Sequence, residues 1–101
     1  MAKFVKVATK SELPAGSGKV VDVEGKEIAL FNMDGTFCAI DNICKHQGGP
    51  LGEGYLEGAV VTCPWHGWEY DVSTGACQTN PAVKQAQFNV KVEGDDILIE
   101  V

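Results

Sequence analysis

The sequence predicts an all-β fold, a sandwich or barrel of short antiparallel strands. Three observations carry that expectation. Short apolar and β-branched runs recur along the chain, turn-forming dipeptides such as Glu24-Gly25 and Asp34-Gly35 separate them, and no stretch sustains the apolar period of a long amphipathic helix. An acidic residue followed by Gly suits a two-residue hairpin, because both central positions of such a turn take positive φ.

Taken in order, residues 3–7 (KFVKV) read as the first strand and residues 11–18, with Pro14, as loop. Residues 19–23 and 27–31 read as a hairpin about Glu24-Gly25, and Asp34-Gly35 leads into a strand at 36–40. Residues 55–56 and 59–62 flank Glu57-Gly58, a third expected turn. Residues 86–92 and 97–101 flank a fourth at 93–96. Two segments break this rhythm: 41–54 (DNICKHQGGPLGEG), and 63–67 (CPWHG) with the loop at 78–83 that follows. Long connections in small domains tend to be functional, and both segments hold Cys and His together.

At 101 residues the chain is expected to form one domain over 1–101, with room for one modest core. Hydrophobic residues make up 45% and charged residues 22%, as in ordinary globular proteins. Eight Lys, no Arg and fourteen acidic residues give a net charge of −6. That balance argues against nucleic acid as a partner, since phosphate contacts need a basic surface, and against anionic membranes. No apolar run approaches the ~20 residues of a membrane span, and the N-terminus does not read as a signal peptide. A cytoplasmic location is expected, which makes the four Cys more apt as metal ligands or buried thiols than as two disulfides.

The two His of the chain each lie beside a Cys, in Cys44-Lys45-His46 and Cys63-Pro64-Trp65-His66, and 16 residues separate the pairs. Gly48, Gly49, Pro50, Pro64 and Gly67 stiffen the two loops. Two thiols and two imidazoles make a four-ligand set. A structural zinc site has the right ligand count, although zinc modules usually place two Cys together and then two His. A two-iron cluster, with sulfur on one iron and nitrogen on the other, matches one Cys and one His per loop more directly.

The stretches Cys-Lys-His-Gln-Gly-Gly-Pro-Leu at 44–51 and Cys-Pro-Trp-His-Gly-Trp-Glu-Tyr-Asp at 63–71 resemble the two cluster-binding boxes of Rieske iron–sulfur proteins. The likeness extends over nearly the whole chain. It implies an antiparallel β base domain with a small cluster-binding subdomain at its tip, about 42–82, and one [2Fe-2S] cluster per chain. Cys44 and Cys63 would hold the inner iron as thiolates, and His46 and His66 the outer iron as imidazoles. Gly49, Pro50, Leu51, Trp65, Gly67, Trp68 and Tyr70 would form the cluster's surroundings, with Pro81 in the proline loop that covers it. Potentials of such centres run from roughly −150 to +300 mV, because neutral imidazoles replace two thiolates.

High-potential members of the family carry a disulfide between the two loops, at positions that correspond to Gly49 and Trp65, and a Ser where Trp68 stands. Tyr70 keeps the family's Tyr. With fewer donors to the sulfurs, the potential is expected in the low part of the range. Cys38 and Cys77 read as reduced packing residues, with a disulfide between them as the alternative, Trp68 as core packing, and Glu53 and Glu69 as acidic groups near the tip able to steer a partner.

The resemblance implies a one-electron carrier rather than an enzyme. Both His are taken by the cluster, so none remains for the mononuclear iron of a Rieske oxygenase. The expected partners are a flavin-containing, nicotinamide-dependent reductase and a terminal oxygenase, each docking at the His46/His66 tip. An accessory subunit of a larger reductase, such as the small subunit of a nitrite reductase, is the second reading. A zinc-stabilised binding module is the third.

Overall fold

The structure is a computed structural model that describes residues 3–43, 49–65, 67–80 and 82–100. Among these, β1 (Phe4–Thr9), β9 (Val90–Glu93) and β10 (Asp96–Glu100) form one antiparallel sheet in the order β1-β10-β9. The second sheet runs β2-β3-β4-β8, from β2 (Gly18–Val23), β3 (Lys26–Met33), β4 (Thr36–Asp41) and β8 (Gln87–Phe88). The third is a meander of β5 (Tyr55–Glu57), β6 (Val60–Thr62) and β7 (Glu69–Asp71), inserted between β4 and β8. The all-β expectation stands. The only helical pieces described are single 3-10 turns at Lys10–Glu12 and Leu51–Glu53. No helix among the described residues is long and apolar enough to cross a membrane.

The middle sheet serves two cores. Side chains alternate across a strand. On β3, Ile28 and Leu30 therefore join Val21, Val23, Ala39, Ile97 and Ile99 in a core facing the first sheet. Ala29 and Phe31 turn the other way and join Leu51, Leu56, Val61, Cys63, Tyr70 and Cys77 in a core facing the meander. This explains why 28–31 reads as a continuous apolar run rather than an alternation, for both of its faces are buried. Phe31 is fully buried, and truncating it to Ala is expected to cost about 3–5 kcal/mol.

Paired positive φ angles confirm the hairpin turns at Glu24-Gly25 (52° and 86°) and Asp34-Gly35 (54° and 97°). Three readings need correction. The turn expected at Glu57-Gly58 lies at Gly58-Ala59, because Glu57 pairs with Val60 and Gly58 takes φ 63°. The strand expected over 86–92 is two strands: Phe88 pairs with Ala39 of the middle sheet, whereas Val90 pairs with Ile99 of the first. The chain changes sheets at Asn89. Strand β7 carries no sequence signal, because a single apolar residue in Glu69-Tyr70-Asp71 makes no period.

Candidate metal centre

The meander is the platform of the site. Leu56, Val61 and Tyr70 lie opposite one another across its three strands and are all buried. The loops that leave its ends carry the two boxes.

The first loop joins β4 to β5. Asn42, fully buried, closes its base: its carbonyl accepts from Leu51 N at 2.8 Å and its Oδ1 from Gly52 N at 2.7 Å, while its Nδ2 donates to Glu27 Oε1 at 3.1 Å. Ile43 bridges to Pro50 across the same neck. Leu51 is fully buried in the core beneath the meander and anchors the far end of the loop.

The second loop joins β6 to β7 in a tight turn. Cys63 N donates to Trp68 O at 2.7 Å, and Gly67 N to Cys63 O at 3.2 Å, with Gly67 at φ 78°. Cys63 is 3% exposed and belongs to the core that holds Leu51, Tyr70 and Cys77. Trp68 packs against that core as expected, and Tyr70 is fully buried in it. Trp65 stands out at 51% exposure.

The two loops touch at Gly49. A Cβ built there would lie 2.8 Å from Cys63 Sγ, 3.1 Å from Trp65 Cγ and 3.2 Å from Trp65 Cβ. Glycine therefore makes room for the sulfur. Positions 49 and 65 thus lie even closer than the ~3.8 Å typical of Cβ atoms in a disulfide, although neither residue is a Cys here.

The third loop returns to β8. Asn80 N donates to the Cys77 thiol at 3.3 Å, Ala82 N to Asn80 Oδ1 at 3.1 Å, and Val83 N to Asn80 O at 2.9 Å. These bonds tie Cys77, Asn80, Ala82 and Val83 together on either side of position 81, the Pro of the expected proline loop. Cys77 is buried, Cys38 half-buried, and neither forms a disulfide. Burial, and then the charge of Asp71, push the Cys38 thiol above its usual value.

Cys44, His46, His66 and Pro81 lie outside the described residues. Among the described residues no three His, Cys, Asp or Glu gather as a metal site. What is described fits the group the sequence implies. Cys63 offers a buried thiol at the head of a tight turn, and the neighbouring loop meets it with a glycine that leaves space beside the sulfur. Asn42 and Gln85, both buried polar residues at the root of the first loop, are not among the site residues expected from the sequence. The Asp41-Asn42 pair at the loop's start was a usable signal for the first, and Gln85 had none.

Comparison with known proteins defines the class. Residues 3–98 match the Rieske [2Fe-2S] domain family, and the chain belongs to that family, whose cofactor is a [2Fe-2S] cluster. Within it, the chain is 35% identical over 100 residues to the ferredoxin component of a naphthalene 1,2-dioxygenase system from Pseudomonas aeruginosa, covering 98% of this chain and 96% of the relative. A chain of the complex of reduced oxygenase and oxidized ferredoxin in carbazole 1,9a-dioxygenase superposes with a TM-score of 0.88 at 30% identity, over 95% of this chain and 91% of that one. A putative NADH-dependent nitrite reductase small subunit from Mycobacterium tuberculosis shares the fold, with a TM-score of 0.91 at 21% identity, over 100% of this chain and 96% of that one.

Proposed function

We propose that this chain is the ferredoxin component of a multicomponent aromatic-ring oxygenase. It would carry single electrons from a nicotinamide-dependent flavin reductase to a terminal oxygenase, in the cytoplasm. The observation that carries this reading is likeness over essentially the full length of a dioxygenase ferredoxin. The likeness to a nitrite reductase small subunit is one of fold and supports nothing further.

In this reading residues 42–82 are the cluster-bearing subdomain. Cys44 and Cys63 hold one iron and His46 and His66 the other. The bound cluster supplies reversible uptake of one electron. The chain's own residues do the rest. Leu51, Tyr70 and the core around Cys63 exclude water from the buried side. Outside that core, Trp65 within the second box and the 43%-exposed Ile43 just before the first are exposed and offer partners an apolar contact. Redox pairs dock through small, short-lived interfaces, which a patch of this kind suits.

The test combines metal analysis, spectroscopy and reconstitution of the purified protein. Two irons and two sulfides per chain are expected, with a reduced paramagnetic resonance signal and a midpoint below about +100 mV, in the lower part of the family range. Electron flow to a terminal oxygenase should require the chain. A colourless protein holding one zinc, or one that supports no flow with any reductase and oxygenase pair tried, would overturn the reading.

A further inference from the structure

Three buried polar side chains stand out among the described residues: Asn32, Asn42 and Gln85. In two of them both ends of the amide are matched. Asn32 donates to Leu13 O and accepts from Gly35 N, and Asn42 donates to Glu27 and accepts from Gly52 N. Gln85 differs. It is 1% exposed, its Nε2 donates to Asp41 O at 3.0 Å and to Ile43 O at 2.7 Å, and its Oε1 has no partner.

We propose that Gln85 is a positioning residue for the iron–sulfur centre, locking the chain that enters the first box to the chain that leaves the third loop. The inference rests on the reading that the 44–51 box holds the cluster.

Both acceptors are carbonyls, so the amide nitrogen must face them and the oxygen must turn away. A buried carbonyl without a donor is unfavourable. A Leu or Met of similar volume would fill the space without that penalty. What Leu or Met could not supply is the pair of donors. Ile43 immediately precedes Cys44, and a peptide unit is planar, so holding the Ile43 carbonyl holds the plane that leads into the first box.

The clamp is rigid at its own root. Gln85 N donates to Gly75 O at 2.7 Å, Asp41 N donates to Ala86 O at 2.9 Å, and Ala76 bridges to Lys84. Cys77 N donates to Val83 O at 3.0 Å, which ties the same segment to the start of the third loop. A side chain on so fixed a backbone transmits position rather than absorbing movement. Groups that orient the ligands of a metal centre set its retention and its electronic character.

The test uses the cluster-loaded protein with Gln85→Leu, Gln85→Asn and Gln87→Leu. Gln87 lies on the same segment but is exposed, and its amide donates to Ser73 O rather than to the first loop. Gln85→Leu should lose its cluster to a chelator about tenfold faster than wild type. It should also shift the midpoint and the g values of the reduced signal. Gln87→Leu should leave all three readouts unchanged. If Gln85→Leu does not fold, Gln85→Asn decides, because its shorter side chain keeps the donors but cannot reach both carbonyls. It should shift the same readouts in the same direction. Unchanged midpoint, g values and cluster loss in the Gln85 variants, even with a lowered melting temperature, would reduce Gln85 to a packing residue and overturn the proposal. A wild-type protein without the two-iron signal would overturn the cluster reading as well, so the two failures are distinguishable.

Discussion

At Cys38 the thiol is half-buried on β4, and burial first, Asp71 second, disfavour its charged form. The folded state therefore holds this proton to higher pH than the unfolded state does. Below the unfolded thiol's pKa both states are protonated and the stabilising term is fully present. As pH rises past that value the unfolded thiol ionises first, and stability falls until the folded thiol ionises too. Denaturant titrations from neutral pH to about pH 10 should show a shallower alkaline decline in Cys38→Ala than in wild type. Asp71→Asn, by removing one of the two causes, should speed alkylation of Cys38 at fixed alkaline pH. A decline of equal slope in both proteins would refute the assignment. Cys77 has a different task, for its sulfur accepts the amide of Asn80 and shapes the third loop. The sequence showed that neither Cys belonged to the boxes, because each lacks a neighbouring His. It did not show that one packs at a half-open edge while the other organises a turn, since that depends on partners distant along the chain.

Among the elements, the two box-bearing loops were legible and the strands around them less so. The spacing of the proposed ligands is a local property, written in Cys44-Lys45-His46 and Cys63-Pro64-Trp65-His66. The exchange of sheets at Asn89 is not local, because it depends on Ala39 and Ile99 being available as separate partners. The contact between the loops was readable only in part. Glycine at 49 suggested a stiff turn, whereas the structure shows that it leaves space beside Cys63 Sγ. Gly49→Val would force a branched side chain into that space. Overpacking of this kind costs about 1–3 kcal/mol, and here the strain falls on a proposed ligand. The variant should fold, since the platform of Leu56, Val61 and Tyr70 is untouched, yet at a chelator concentration that leaves wild type half loaded it should retain less than about half the wild-type iron, because 1 kcal/mol is about a fivefold change in an equilibrium constant. Iron and sulfide assays beside circular dichroism check this. Full iron occupancy would show that the first loop yields without disturbing Cys63.

Over the whole molecule, two cores share the middle sheet, and the third sheet carries the proposed centre at a distance from the first. The net charge of −6 acquires a use in this arrangement. Glu53, two residues after the first box, and Glu69, within the second, are both exposed, so they bring negative charge to the segments that carry the proposed docking tip. One electron changes the total by a single unit, too little for bulk charge to govern release of a partner. Recognition must then divide between long-range attraction, which salt screens, and a local apolar contact, which it does not. Trp65 is the candidate for the second, being, among the described residues, the largest apolar side chain exposed in the boxes. Trp65→Ala should weaken docking to the oxygenase by about 2 kcal/mol, the scale of a buried Trp anchor, and leave the salt dependence of association as it was. Glu69→Gln should do the reverse, flattening the salt dependence and changing affinity little at high salt. Stopped-flow reduction of the oxygenase across a range of ionic strength separates the two. If Trp65→Ala altered only the salt slope, the apolar contact would have to lie elsewhere on the tip, and Ile43 would be the next residue to change.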